Sequence, residues 1–255
     1  MGKDLEETLN DRSFWHFRYK QQAAWTRETR RFLFSQTGVQ SEDHILDVGC
    51  GSGAVLEALA ADGYTHLTGL DIDISILSPT KSKPFLTTCA DGIAAPFPDN
   101  TFDHALCHFT LMWVNNPFRI VREMRRMVTP GGWVFALAEP DYGGRISYPA
   151  TLENLAGLQT SALQQQGANI HMGRELLAIL SDCGLQYING GIIGAEMSGD
   201  AANALRGDLR VLRKDLADYL TPQDSARRLE GAETAASKPG AVWYVPVCYA
   251  YGQAA

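Results

Sequence analysis

The sequence predicts an α/β fold: a mostly parallel sheet with helices on both faces. Three observations carry that expectation. Short apolar runs alternate with helix-periodic stretches from residue 44 onward. The first run, Ile45-Leu46-Asp47-Val48, meets Gly49-Cys50-Gly51-Ser52-Gly53 before a helix begins. The second run, Leu67 to Asp71, also ends in an acid. Glycines between a strand and a helix let a ligand come close to the backbone, and they tolerate positive φ.

The chain has 255 residues, a formal net charge of -7 and 45% hydrophobic residues. That describes one large α/β domain, or a domain with an inserted cap. The acidic balance argues against a broad nucleic-acid footprint, which needs a basic face. The five cysteines are Cys50, Cys89, Cys107, Cys183 and Cys248, widely spaced and without a Cys-x-x-Cys pair. They read as reduced thiols of a cytoplasmic protein, and no zinc or other metal site is expected. The start lacks an apolar signal region, and no run reaches membrane-spanning length.

Residues 1–43 read as helical, with Phe14, Phe17 or Arg18, Gln21, Trp25, and Phe32 or Leu33 at helix spacing. Ser52 or Gly53 opens a helix after the glycine turn, with Val55, Leu56, Leu59 and Ala60 on its apolar face, closed by Gly63. Ser78-Pro79 and Lys83-Pro84 mark a loop after the second strand. Phe85 to Cys89 is a third strand that leads into Ala90-Asp91-Gly92, and Phe102 to Phe109 is a fourth. Pro117 suits the first turn of a helix running to Val128, whose arginines 119, 122, 125 and 126 read as a solvated face. Pro130-Gly131-Gly132 turns into strand five, Trp133 to Ala138, followed by the polar stretch Glu139 to Arg145. Two helices fill 150–184, a strand covers 186–193, and leucines 205, 209, 212, 216 and 220 mark another helix. Residues 221–240 read as one more helix. Val242 to Tyr251 is the final strand, with a bulge expected at Pro246.

The run Asp-x-Gly-x-Gly-x-Gly from Asp47 to Gly53 resembles motif I of the class I S-adenosylmethionine-dependent methyltransferases. Gly69-Leu70-Asp71-Ile72-Asp73, the segment after Asp91 and Pro130-Gly131-Gly132 strengthen the likeness, which covers most of 44–145. It implies a Rossmann-like, seven-stranded, mostly parallel sheet whose last strand is antiparallel and lies between strands five and six. It implies S-adenosyl-L-methionine as cofactor, held at Asp47, Gly49, Cys50, Gly51 and Gly53. Asp71 would meet the ribose with Ile72 beside it, Asp91, Gly92 and Ile93 the adenine, Arg18, Tyr19 or Gln22 the methionine end, and His108 the same end from the sheet. Methyl transfer to a small-molecule acceptor would follow by in-line displacement, with Asp141, Tyr142 and His108 as candidates for substrate contact or proton removal. His108-Phe109-Thr110-Leu111 replaces the tetrad of DNA amino-methylating enzymes.

The implied organisation is a helical cap segment at 1–43, a cofactor core at 44–195 with a helical insertion near 150–168, a second helical cap insertion at 196–240, and a final core strand at 241–255. The cap is expected over the carboxyl edge of the sheet, where it would enclose a small molecule. Two rival readings stay open. An NAD(P)-dependent oxidoreductase would use the same loop, although its fingerprint wants glycine at position 54, where the chain has Ala54. A non-catalytic S-adenosylmethionine-binding or interaction protein would hold the cofactor without turnover. The sequence leaves the acceptor and the oligomeric state open.

Overall fold

The structure is a computed structural model that describes residues 12–77, 83–194 and 201–255. The start of the expected N-terminal helical segment, the centre of the Ser78–Pro84 loop and the first residues of the second cap insertion lie outside the described residues. The elements are α1 (Arg12–Trp25), α2 (Arg27–Thr37), β1 (His44–Val48), α3 (Ala54–Ala61), β2 (His66–Asp71), β3 (Leu86–Cys89) and β4 (Phe102–His108). They continue with α4 (Pro117–Met127), β5 (Val128–Pro140), β6 (Ile146–Tyr148), α5 (Ala150–Gln165), α6 (Met172–Asp182) and β7 (Gln186–Ile193). The chain ends with α7 (Ala201–Asp215), α8 (Pro222–Ala236), β8 (Val242–Tyr244) and β9 (Val247–Gln253).

Seven strands form one sheet in the order β3-β2-β1-β4-β5-β9-β7. The neighbours from β3 to β5 are parallel, with Asp47 opposite Gly69 and Leu106, Asp71 opposite Cys89, and His108 opposite Ala138. Parallel pairing puts the carboxyl ends of these five strands along one edge, so Asp47, Asp71, Asp91, His108 and Glu139 share a rim. The final strand lies between β5 and β7, as the family likeness implies. Its end, Ala254, exchanges backbone hydrogen bonds with Gly131 and Gly132 at the start of β5, while Tyr251 packs further along β5 on Phe135. That order of contacts is antiparallel.

Contacts divide the chain into two units. The first comprises the residues up to Glu139, Gly173–Ile193 and Cys248–Ala255. Its core joins Leu33 and Phe34 of α2 to Ile45, Leu56, Leu59, Leu106 and Phe135. Helix α4 shows why the local sequence folds as it does. Asn116 caps it through Arg119 N, Pro117 occupies the first turn, and Ile120, Val121, Met124 and Met127 are buried. The second unit comprises Pro140–Met172 and Gly194–Val247. In it β6 and β8 pair antiparallel, and Leu152, Leu155, Leu205, Leu212, Leu216, Leu229 and Trp243 form a separate core.

Three expectations change. The last strand is not one bulged element: it breaks at Val245-Pro246, β8 pairs with β6, and β9 joins the main sheet. Pro246 has no N–H to give a ladder, and its carbonyl accepts from Asp141 N instead. Val128 leaves the helix and opens β5, which carries a register shift before Trp133. Gly132 fits there because a Cβ would stand 2.1 Å from Asp103 O. The arginines of α4 are not all a solvated face. Half-buried Arg126 binds Glu123, Asp99 and the Phe97 and Ala95 carbonyls, and Arg125 reaches Cys183 O.

Candidate active site

The glycine turn after β1 is held by its neighbours. Gly49, Gly51 and Gly53 all have positive φ, at 76°, 53° and 80°. A Cβ on Gly49 would lie 2.4 Å from the Thr110 side chain, and one on Gly53 would lie 2.6 Å from the Phe85 ring. Around Gly51 the nearest atoms to such a Cβ belong to the Tyr19 ring, at 3.5 Å. Gly51 is therefore the place where the loop leaves room. Gly49 N and Cys50 N donate to Leu70 O, so the turn is pinned to β2.

Asp71 locks the same turn from the next strand. Its Oδ2 accepts Gly51 N at 2.8 Å and its Oδ1 accepts Asp73 N at 2.9 Å. The exposed Ile72 follows it. Asp91 is also exposed, and it caps the turn Gly92–Ala94 through Ile93 N at 3.0 Å. Gly92 is buried, where a Cβ would meet Ile120 at 2.9 Å. Cys50 is buried, and burial pushes its thiol far up, so it is an inert thiol here.

Asp47 differs from both. It is 1% exposed, and neither carboxylate oxygen has a hydrogen-bond partner among the described residues. Burial, reinforced by the nearby Asp71 charge and opposed by Arg30, pushes its pKa up to about 8. Arg30 of α2 is equally buried, at 1% exposure, and its Nε and Nη2 are also unpartnered among the described residues. Its Nη1 donates to Ala23 O and Thr26 Oγ1. Thr26 Oγ1 lies 3.0 Å from His108 Nε2. Burial, then the Arg30 charge, pushes the His108 pKa down to about 3, so the ring is neutral near pH 7.

Helix α1 lies against this loop. His16 Nδ1 is 2.8 Å from Ser52 Oγ, and Lys20 and Lys83 both pair with Glu57 of α3, at 3.1 and 2.7 Å. Tyr19 has its pKa raised by burial and then by Asp71 and Asp73. Arg18 is buried with its guanidinium 4.6 Å from the Trp25 ring centre. The first unit thus brings together Tyr19, Asp47, the three loop glycines, Asp71 and His108. Asp141 and Tyr142 belong to the second unit. There Asp141 is buried, caps Gly144 N at 3.1 Å and lies 3.7 Å from His171 Nδ1, while Arg145 stands 5.9 Å from the Tyr142 ring centre.

Sequence reasoning missed Arg30, Thr26, Thr110 and Glu139. For Glu139 the signal was present: it ends an apolar strand, as Asp71 does. For Arg30 the signal was an arginine one turn before Leu33 and Phe34, on the buried stripe of its helix. No group of three or more metal-ligating side chains occurs among the described residues. No helix among them is long and apolar enough to cross a membrane.

Residues 46–136 match the family model described as a methyltransferase domain. A demethylmenaquinone methyltransferase of Corynebacterium urealyticum is 33% identical over 139 residues, covering 54% of this chain and 56% of that one. The chain spans about half the length of most of the curated relatives it matches. A structure described as a methyltransferase from an antibiotic biosynthesis pathway of Anabaena variabilis superposes with a TM-score of 0.65 at 13% identity, covering 88% of this chain and 95% of that one. The [4+2]-cyclase SpnF superposes with a TM-score of 0.57 at 20% identity, covering 89% and 80%. The strand order, the glycine turn tied to a strand-end acid and the domain match agree: residues 46–136 are similar to a methyltransferase domain, and the sheet has the fold of the class I S-adenosylmethionine-dependent methyltransferases.

Proposed function

We propose that the protein transfers a methyl group from S-adenosylmethionine to a small-molecule acceptor. One observation carries the reading. The rim beside Gly51 holds an open backbone turn, a carboxylate locked to it at Asp71, and buried polar atoms of Asp47 and Arg30 without partners among the described residues. A ligand with an adenosyl group and a zwitterionic end fits that set. The remaining lone pairs of Asp71 suit the ribose hydroxyls, and Asp91 suits an exocyclic amine. Asp47 suits an ammonium, and the Arg30 fork suits a carboxylate.

When bound, S-adenosylmethionine supplies a methyl group activated by its sulfonium. The chain then has to hold two reactants in line and exclude water. Tyr19 covers Gly51 and His108 lines the methionine end. With its pKa pushed down to about 3, His108 is a weak base, which suits it to holding the cofactor rather than to removing a proton. The relative from C. urealyticum is named for a small organic acceptor, which supports that substrate class. The matched residues 46–136 lie wholly in the first unit, so they speak to the cofactor rather than to the choice of acceptor.

The second reading is a protein that binds the cofactor without transferring its methyl group. It is favoured by the likeness to a chain named as a cyclase. Incubation with methyl-tritiated S-adenosylmethionine and a metabolite extract separates the two. Label in an organic-soluble product supports methyl transfer. Binding of S-adenosylhomocysteine with no label transferred supports the second reading.

A further inference from the structure

We infer that Glu139 is a positioning residue: its buried carboxylate holds the turn after β4 so that Thr110 seats the glycine loop in its ligand-binding shape. The inference rests on the cofactor reading above and adds a residue to it.

Glu139 closes β5 with 0% exposure. Its Oε1 accepts Thr110 N at 2.8 Å and Leu111 N at 2.7 Å, and its Oε2 accepts Met112 N at 3.1 Å. Three successive amides therefore converge on one carboxylate at the start of the turn Leu111–Trp113. A neutral side chain cannot replace it. An amide in the same place would present its NH2 to one of these donors. The turn in turn fixes Thr110. Its Oγ1 lies 3.2 Å from His108 O, 3.4 Å from Val48 O and 3.5 Å from Gly49 O. Its methyl and hydroxyl occupy the space where a Cβ on Gly49 would go. Gly49 opens the loop whose Gly51 N–H is held by Asp71. Displacing the 110–112 turn thus moves Thr110 off Gly49 and releases the loop on its β4 side.

The ionised form is the one that works, because protonation removes acceptor capacity from the clamp. Burial pushes the Glu139 pKa up to about 7 against the three amides that hold it down. The titratable neighbour on β4 is Cys107, whose thiol burial keeps neutral. Asp47, pushed up to about 8, is the other group of the rim that titrates in this range.

The test is calorimetric titration of S-adenosylhomocysteine into wild type, Glu139→Gln and Thr110→Ala from pH 6 to 9, with thermal melting of each ligand-free protein. The expected result is at least tenfold weaker binding in folded Glu139→Gln and severalfold weaker binding in Thr110→Ala. Wild-type affinity falls as the pH drops through 7; that step is absent in Glu139→Gln and retained in Asp47→Asn. A folded Glu139→Gln protein with wild-type affinity and wild-type pH profile overturns the inference and leaves the cofactor reading standing. If Glu139→Gln does not fold, Thr110→Ala decides, and wild-type affinity in it overturns the inference. Wild type that binds no S-adenosylhomocysteine overturns the cofactor reading, and this inference falls with it.

Discussion

The end of β1 and the end of β5 each bury a carboxylate completely, yet they treat it in opposite ways. Glu139 receives three backbone N–H groups, whereas Asp47 has no hydrogen bond to either oxygen among the described residues. Burial raises both, Glu139 to about 7 and Asp47 to about 8. Desolvation is common to the two, so the difference lies in what compensates it. A satisfied buried acid serves the fold around it. On the reading proposed above, the unsatisfied one beside the glycine turn is left for a ligand.

Mutation should separate the two roles. Removing the acid at β5, as in Glu139→Leu, strands three buried amides. The expected loss is about 3 kcal/mol or more of stability, read from urea unfolding of the ligand-free protein. The matching change at β1, Asp47→Asn, should leave ligand-free stability at pH 7 within about 1 kcal/mol, because Asn copies the protonated acid. Its effect belongs on binding instead: affinity for S-adenosylhomocysteine should fall by about 2 kcal/mol, the worth of a charge-assisted hydrogen bond. Equal losses of stability in the two variants would erase the distinction.

The pH dependence of folding sharpens it. Both acids hold their protons more tightly folded than unfolded, so each contributes stability that is full below its ordinary pKa and is lost as pH rises through the folded value. For Asp47 the window runs from 3.8 to about 8, and for Glu139 from 4.5 to about 7. The melting temperature of the ligand-free protein should therefore fall between pH 5 and 8. In Asp47→Asn the fall should be shallower and end near pH 7. A Gly51→Ala variant should lose about 1 kcal/mol, since alanine is strained at φ 53°, and should bind more weakly because its methyl group enters the open side of the loop.

The second unit offers the smallest contrast. Arg145 Nη1 reaches Gln159 Oε1 at 2.6 Å, Gln159 Nε2 reaches Asp215 Oδ2 at 2.8 Å, and the Arg145 guanidinium lies 3.8 Å from the Trp243 ring centre. Here the buried acid has its donor, as at Glu139. Asp215→Asn keeps an acceptor for Gln159, so melting should show a loss of about 0.5–1 kcal/mol with unchanged cofactor affinity.

The sheet was legible because the runs of β1, β2, β3 and β5 each close on an acid or a glycine. Asp47, Asp71 and Asp91 could be set on one rim by counting strands, since parallel pairing leaves no other edge for them. Legibility failed where the information is three-dimensional. Gly49 reads as a residue kept small for a ligand, but the space it leaves is filled by Thr110, sixty-one positions away. Arg30 and Thr26 carry no motif, and their importance comes from α2 packing beside Asp47 and His108. The split of the last strand into β8 and β9 was half visible. Pro246 marked the place, but only the pairing of β8 with β6 shows that the chain changes sheets there.

The most direct measurement is calorimetry of S-adenosylhomocysteine binding to wild type and to Asp71→Ala. If the loop and the strand-end acids are the cofactor site, wild type binds with one-to-one stoichiometry. Asp71→Ala then binds about tenfold or more weakly, because it loses both the ribose contacts and the anchor on Gly51 N. Equal affinity in the two proteins, or no binding by wild type, would contradict the account.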